Sequence, residues 1–584
     1  MGPKSVGESP LASGLRACRT HLAFAAGFSA LINLMFLAPT LYMLQVYDRV
    51  VPTRGTLTLA FLTLILLLAL LALSALDYLR GRVLVRAGLR LDKTLADVVL
   101  DAGLSRNAGR KSALANRAMR DFDALRQAIS GPGVLSLFDL PWAPIYIAVA
   151  FMIHPAMGGI VIVGAAILAS LTLLNERATG AAMLRANNAA NIGYISQQHT
   201  TQSADVIRAL GMRRTIVRRH LDQRREAQQL QVEANFSASG YTAMSKFVRQ
   251  ALQSLALGVG AYLAIKQEIS AGAIFAASLL AGRALAPIEQ VLGSWRSLGQ
   301  AREAYANLQD LLQHHAQWTL PTELPEPTGA FEVENVIVMA PGQPDPILRD
   351  VSFKLGAGEI LGVIGPSGAG KSSLARIIAG AAVPDRGSVR FDGADATHWN
   401  EEQLAQHIGY MPQDPTLFAG TIKENISRFS DGLDRPGMDI DAAVIAAAKI
   451  AGAHDLILRL PKGYDTPLDF GGKGLSAGHS QRIALARAIF GGPRLLVLDE
   501  PNAHLDVDGE ASLAQALMHL KGQGVSAVVV AHRSGILQAV DKLMLMRDGK
   551  IELYGMKDAV LNHLANAGRD ASTVTAKSQT GQNA

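Results

Sequence analysis

The sequence predicts a multi-domain chain of α and α/β class, an all-helical half that crosses a membrane about six times followed by an α/β nucleotide-binding half. Two observations predict it. Six apolar stretches, near residues 22–46, 57–79, 134–153, 157–174, 247–265 and 271–292, each approach the roughly 20 residues that a helix needs to span a bilayer. Downstream, Gly365-Pro366-Ser367-Gly368-Ala369-Gly370-Lys371-Ser372 fits the pattern G-x-x-x-x-G-K-[ST] between a strand-like apolar run at 360–364 and a helix-like run from Ser373, the setting that a phosphate-binding loop requires. Composition agrees. A hydrophobic content of 49% and a mean hydropathy of +0.20 are too apolar for an ordinary soluble enzyme and too polar for a purely membrane-embedded chain.

Residues 1–20 precede the first span and are expected to form a cytoplasmic segment; they carry Lys4, Arg16 and Arg19. The first span runs too long for a signal peptide, lacks a small-x-small exit and is followed almost at once by the second, so no cleavage is expected. An arginine-rich connection starting at Arg80, Arg82, Arg86 and Arg90 follows span two, and a second one carrying Arg208, Arg213, Arg214, Arg218 and Arg219 follows span four. The remaining connections are short. Positive charge stays on the cytoplasmic side, which puts both termini and the long connections there. This also accounts for the net charge of +6 and pI near 9.3 without nucleic acid, which is not an expected partner; membrane lipid is. Asn33, Asp139 and Arg283, with Glu289 nearer one end, are costly inside a bilayer and suggest a polar pathway. Pro39, Pro141, Pro144 and Pro287 are expected to kink or loosen their helices. The single cysteine, Cys18, excludes an intramolecular disulfide and a Cys-x-x-Cys metal site.

The membrane half is assigned to residues 21–315 and a Pro-rich linker to 316–330, where Pro321, Pro325 and Pro327 interrupt any helix. The nucleotide-binding half takes 331–562. In it the glycines of residues 365–370 let backbone N–H groups close around phosphates, the helix start at Ser372 and Ser373 favours anionic charge, Lys371 reaches the β- and γ-phosphates, and Ser372 is a Mg²⁺ ligand. A second apolar run, Leu495-Leu496-Val497-Leu498, ends in Asp499 and Glu500. It reads as a strand buried on both faces. Asp499 suits the metal shell and Glu500 suits polarisation of an attacking water. The tail at 563–584 is rich in Ser, Thr, Gln and Asn and is expected to be disordered.

Between these acids and the phosphate loop lies Leu475-Ser476-Ala477-Gly478-His479-Ser480-Gln481-Arg482, which resembles the signature loop of ABC ATPases. The resemblance implies that Ser476 and Gly478 face the γ-phosphate held by an opposite subunit. It departs from the family at Ala477, in place of glycine, and His479, in place of glutamine; alanine tolerates positive φ poorly. Other family parts fall in order: Gln413 resembles the Q-loop glutamine that assists catalysis and the metal, Asp506 the D-loop aspartate beside the nucleotide, and His532 the switch histidine. Ala340 stands where the family commonly stacks an aromatic ring on adenine. One cassette per chain, with sites completed by a second cassette, implies a homodimer that binds ATP and Mg²⁺. The long connections resemble the intracellular helices of ABC exporters, whose short transverse segments press on the ATPase; residues 121–126 and 205–210 are candidates.

Three stretches in the membrane half carry a narrower resemblance. Residues 44–55 (LQVYDRVVPTRG), 138–146 (FDLPWAPIY) and 282–287 (GRALAP) are similar to type I secretion transporters, specifically the PrtD-like protease-secretion group. That group implies the bacterial inner membrane, an unfolded polypeptide cargo with a C-terminal signal, a periplasmic membrane-fusion adaptor and an outer-membrane TolC-like channel. Haemolysin-type relatives have an additional N-terminal peptidase-like domain, which is not expected here because only about twenty residues precede span one. An exporter of lipids or small hydrophobic molecules would show the same six spans and single cassette and stays open as the alternative, as does a signalling ATPase.

Overall fold

A computed structural model describes residues 9–104, 115, 117–316, 324–340, 345–430, 437–469, 472, 474–503, 505, 507–531 and 535–566. The chain forms two compact units, Met1–Gln317 and Trp318–Ala584.

The first unit is helical: α1 (Pro10–Ala17), α2 (Arg19–Met35), α3 (Leu37–Gln45), α4 (Thr56–Leu104), α5 (Ala118–Ser130), α6 (Pro132–Asp139), α7 (Ala143–Ile153), α8 (Pro155–Gln202), α9 (Ala204–Ala209), α10 (Arg213–Ile265), α11 (Ala271–Gly293) and α12 (Trp295–Ala316). A helix stands at each of the six expected spans. Among the described residues, five helical stretches are long and apolar enough to cross a membrane. The sixth expected span is the C-terminal part of α10, where Arg249, Gln250 and Gln253 dilute the apolar run. Helices α4, α8 and α10 have 49, 48 and 53 residues. At 1.5 Å per residue each is about 70–80 Å long, against roughly 30 Å of hydrocarbon, so all three continue well past the lipid, as their composition predicts.

Three of the four prolines sit where a helix begins rather than where one bends. Pro39 lies in the first turn of α3, Pro144 in the first turn of α7, and Pro141 in the 3₁₀ turn Leu140–Trp142 that joins α6 to α7. Their missing N–H groups are among those a helix start leaves unpaired anyway. Pro287 alone is interior, within α11.

The two candidate transverse segments fare differently. Residues 121–126 belong to α5, where Phe122 is fully buried and Leu125 joins a core with Leu91, Leu95 and Leu308. Asn307 Nδ2 donates to Asp121 Oδ2 at 2.9 Å. This segment is therefore a packed helix, because its i, i+3 apolar pair is spent inside the unit. Residues 205–210 fall on α9 and its cap, a six-residue helix between α8 and α10 with no buried residue, and its Val206 and Leu210 are exposed.

Among the described residues the second unit has twelve strands: β1 (Phe331–Met339), β2 (Pro346–Leu355), β3 (Ile360–Ile364), β4 (Arg386–Phe391), β5 (Ala394–Asp395), β6 (Ile408–Met411), β7 (Gly420–Thr421), β8 (Pro467–Leu468), β9 (Leu495–Asp499), β10 (Ser526–Val530), β11 (Lys542–Arg547) and β12 (Lys550–Met556). A six-stranded sheet runs β12-β11-β3-β10-β9-β6, parallel except for β12. A four-stranded antiparallel sheet runs β2-β1-β4-β5. In the larger sheet Leu496, Leu498, Ala527 and Val529 face one core while Leu495, Val497, Val528 and Val530 face another. Burial on both faces explains the uninterrupted apolar runs. It also sets the phosphate loop after β3 and the two acids after β9 together at the carboxyl edge of one sheet, where ligands of open α/β sheets bind.

Candidate functional site

The loop at 365–370 leaves β3 and enters a helix, α13 (Lys371–Ile378). Its glycines are required by geometry. Gly365 has φ 149° and a Cβ there would lie 2.2 Å from the Met546 carbonyl oxygen; Gly370 has φ 92° and its Cβ would meet Leu348 at 2.6 Å. The backbone thus curls into a cradle that only glycine permits at those two points. Ala369 is buried at the base of the turn, and its N–H donates to the Pro366 carbonyl at 3.3 Å. Lys371 is buried, and its Nζ donates to the carbonyls of Gly365 at 2.8 Å and Pro366 at 3.0 Å. Ser367 and Gly368 form the turn's tip and Ser373 continues α13.

At the end of β9 the buried Asp499 accepts from Ser372 Oγ at 3.2 Å. Burial raises the Asp499 carboxyl above its ordinary range and lowers Lys371, with Glu500 and Asp499 pulling the lysine the other way. Both charges are therefore held in a dry site without full compensation. The hydroxyl and the carboxylate are hard oxygen ligands side by side, which fits Mg²⁺, and the glycine cradle fits phosphate. Glu500 follows with φ 51°, a left-handed conformation that costs a non-glycine residue roughly 1–3 kcal/mol. It is over-determined there: the Glu500 N–H donates to Val530 O at 3.1 Å, and Gln481 Nε2 donates to Pro501 O at 2.6 Å. The strained turn separates the side chain of Glu500 from that of Asp499. Gln413, in the loop after β6, donates from Nε2 to Glu500 Oε2 at 3.1 Å. Its amide oxygen is the atom suited to a metal.

The signature segment opens a 13-residue helix, α14 (Ala477–Ile489), with Ser476 as its cap; Ser476 Oγ accepts from His479 N at 3.3 Å. Ala477 is the first helical residue and is not among the positive-φ positions. The strain expected of an alanine in place of glycine is therefore absent, because a helix start asks only for negative φ. Among the described residues no hydrogen bond ties Ser476 or Gly478 to the phosphate loop. Asp506 and His532 lie outside the described residues. Ala340 sits half-buried just past β1. Sequence reasoning missed Gln481, 1% exposed, whose contribution is to hold the turn after Glu500. A buried glutamine beside a signature loop is the signal that could have found it.

The membrane unit has a polar centre of its own. Arg80, buried in α4, donates from Nη1 to Asp139 Oδ1 at 3.0 Å and to Ser29 Oγ at 2.8 Å, and from Nη2 to Asp77 Oδ1 at 2.6 Å. Asn33 Nδ2 donates to the same Asp139 oxygen at 2.8 Å, and the Tyr146 hydroxyl donates to Asn33 O at 2.7 Å. Arg80, which the sequence groups with the basic connection, is thus tied within the helical unit by a carboxylate 59 residues away. At the N-terminus of α11, Asp48 caps the helix. Its Oδ1 accepts from Gly272 N at 2.7 Å, its Oδ2 accepts from Ser270 Oγ at 2.6 Å, and Tyr47 stacks on Phe275 at 4.3 Å. Residues 46–50 make this reach from a π-helical turn, a rare geometry that often marks functional sites.

Residues 348–503 match the ABC transporter family and residues 22–286 match the ABC transporter transmembrane region. The chain is 42% identical over 558 residues to the type I secretion system ATP-binding protein PrsD of Rhizobium meliloti, covering 95% of this chain and 94% of that one. The chain is a type I secretion ABC transporter. It is 28% identical to the alpha-hemolysin translocation ATP-binding protein HlyB of Proteus vulgaris, over 91% of this chain and 75% of the relative. A solved bacterial Atm1-family ABC exporter with ATP bound has the same fold, with a TM-score of 0.77, 21% identity and coverage of 93% and 96% of the two chains. This ABC transporter is a multi-pass membrane protein that binds nucleotide and couples ATP hydrolysis to transport.

Proposed function

We propose that this transporter drives export of unfolded polypeptides bearing a C-terminal secretion signal across the bacterial inner membrane. The observation that carries this is the 42% match to a type I secretion protein running through both units. The reading places both termini in the cytoplasm, with lipid around α2 to α11. A membrane-fusion adaptor takes the cargo in the periplasm, and a TolC-like channel takes it through the outer membrane.

Two chains form the working unit. The cradle of residues 365–373, with Lys371 and Ser373, holds the phosphates of ATP on one cassette, while Ser476, Gly478 and Asp506 of the other complete the site. Ser372, Asp499 and the Gln413 amide oxygen would hold Mg²⁺, which supplies charge neutralisation of the phosphates when bound. Glu500 accepts the proton of the attacking water, Gln413 positions Glu500, and His532 senses the γ-phosphate. Closure on two nucleotides and reopening after hydrolysis give the differential affinity that shifts the membrane helices between states. A folded domain of 100 residues has a radius of gyration of about 13 Å, too bulky for a path between helices, so the cargo crosses extended.

The test compares secreted proteins with and without this gene, then fuses the last several dozen residues of a lost protein to a slow-folding and a fast-folding reporter. Export of only the slow folder, dependent on the C-terminal segment, is expected. Equal export of both reporters would overturn the reading, as would no secreted protein disappearing.

A further inference from the structure

The geometry points to Arg283 as a carboxylate-binding position in the membrane unit, and we propose that it receives acidic groups of the extended polypeptide in transit. The inference rests on the export reading above. Arg283 sits in the middle of α11, a 23-residue apolar span, where a guanidinium is costly unless it meets water or a partner. Its neighbours in charge are already satisfied. Arg80 is held by Asp77 and Asp139, and Arg249 pairs with Glu289. Among the described residues Arg283 has no carboxylate partner; its ring contact is Phe36, 3.7 Å from the guanidinium to the centroid.

The side chain is exposed and lines a cavity of about 830 Å³ together with Asp139, Tyr146, Gln290 and Arg296. That volume lies within the range of ligand sites. The cavity wall carries Arg80, Arg283 and Arg296 against Asp77 and Asp139, and both aspartates bond Arg80, so the wall as a whole is left with positive charge in excess. The guanidinium carbon lies over the Phe36 ring, and among the described residues no hydrogen bond engages the Arg283 N–H groups. A planar fork matches a carboxylate through two parallel hydrogen bonds, as an ammonium cannot. The carboxylates of a polypeptide come from acidic side chains or from its free C-terminus, and the chemistry at Arg283 is the same for both.

The test uses the purified full chain in lipid nanodiscs and fluorescence anisotropy of three labelled peptides. These are the last several dozen residues of a co-secreted protein, the same peptide with Asp and Glu replaced by Asn and Gln, and the original with a C-terminal amide. Wild type is expected to bind one of the altered peptides at least about tenfold more weakly, the value of a charge-assisted hydrogen bond, and which one names the source. Arg283→Gln is expected to bind all three within about twofold of one another, and Arg283→Lys to fall between. Full discrimination surviving in Arg283→Gln overturns the proposal, as does wild type binding all three peptides alike. If Arg283→Gln is not recovered folded, Arg283→Lys decides by the same ratio: undiminished discrimination overturns. Absence of any peptide binding by a wild-type chain that still binds nucleotide would instead sink the export reading itself.

Discussion

The two units of this transporter treat buried charge in opposite ways. In the nucleotide-binding unit, Lys371 and Asp499 are 6% and 2% exposed, yet Lys371 spends its donors on backbone carbonyls and Asp499 accepts from the Ser372 hydroxyl. Burial pushes both toward neutrality. In the membrane unit, Arg80 meets Asp77, Asp139 and Ser29 at once. One arrangement is left short of partners and so gains most when phosphate and metal arrive. The other has its charge met by two carboxylates, with Arg80 Nε the one buried donor left without a partner among the described residues, and gains by staying shut. The difference separates a binding site from a structural tie even where the residue types are alike.

The largest effect is expected from breaking the carboxylate-paired site. Arg80→Ala leaves Asp139, its side chain 15% exposed, without its main counter-charge, and removing one member of a buried pair costs roughly 3–5 kcal/mol. Thermal unfolding of the purified transporter should show a large drop in midpoint. Adding Asp139→Asn should recover much of it, since the unpaired charge is then gone. A double variant as unstable as Arg80→Ala alone would mean that Arg80 acts through Asp77 or packing.

Next comes the underpaired site. Glu500→Gln keeps the size of the side chain, and Gln413 can still approach it, so nucleotide binding should persist while turnover falls at least about 10²-fold, as expected when a general base is lost. Near-normal hydrolysis by the purified variant would remove Glu500 from its role. The contrast with Arg80→Ala is sharp: stability should barely change here, because Glu500 sits in a strained φ that glutamine shares.

How much of this was legible in the sequence follows from the same contrast. Phosphate recognition uses contiguous residues, so the loop at 365–373 and the pair Asp499–Glu500 could be read directly, and the structure brings them to one sheet edge. The six spans were legible because apolar length is local, though α10 hides its span behind Arg249 and two glutamines. The ties inside the membrane unit were not legible. Arg80 looked like one more basic residue after a span, and only the fold brings it to Asp139. Residues 121–126 read as a transverse segment, and only the fold shows Phe122 packed into a core with α4 and α12. The hallmark stretches at 44–55 and 138–146 were visible as strings, but their physical content is the capping of α11 by Asp48 and the bonding of Asp139 and Tyr146 to Asn33.

Asp48 supports a smaller prediction. Its carboxylate serves the N-terminus of α11 as a cap supplied from another helix. Asp48→Ala should cost about 1 kcal/mol, within the range of about 0.5–2 kcal/mol for lost caps. Asp48→Asn keeps an oxygen for the Gly272 N–H but loses charge against the helix end, and should cost less. Equal unfolding midpoints for wild type and Asp48→Ala would show that Ser270 caps α11 alone.

The smallest effect concerns the base of the nucleotide. Phosphate contacts through the cradle are identical for ATP and GTP, so any preference must come from whatever touches the purine. At the position where ABC ATPases commonly stack an aromatic ring, this chain has Ala340, directly after β1. A methyl group offers little surface to either purine, and a base–aromatic stack is worth about 1–3 kcal/mol. Nucleotide affinity should therefore be modest and ATP favoured over GTP by only a few-fold in equilibrium binding. Ala340→Tyr should raise affinity for both nucleotides by about 10-fold or more, since stacking tolerates either base and 1.4 kcal/mol is a factor of ten. ATP bound far more tightly than GTP by the wild-type chain would show that another residue reads the purine edge, and an unchanged affinity in Ala340→Tyr would show that the ring at 340 does not reach it.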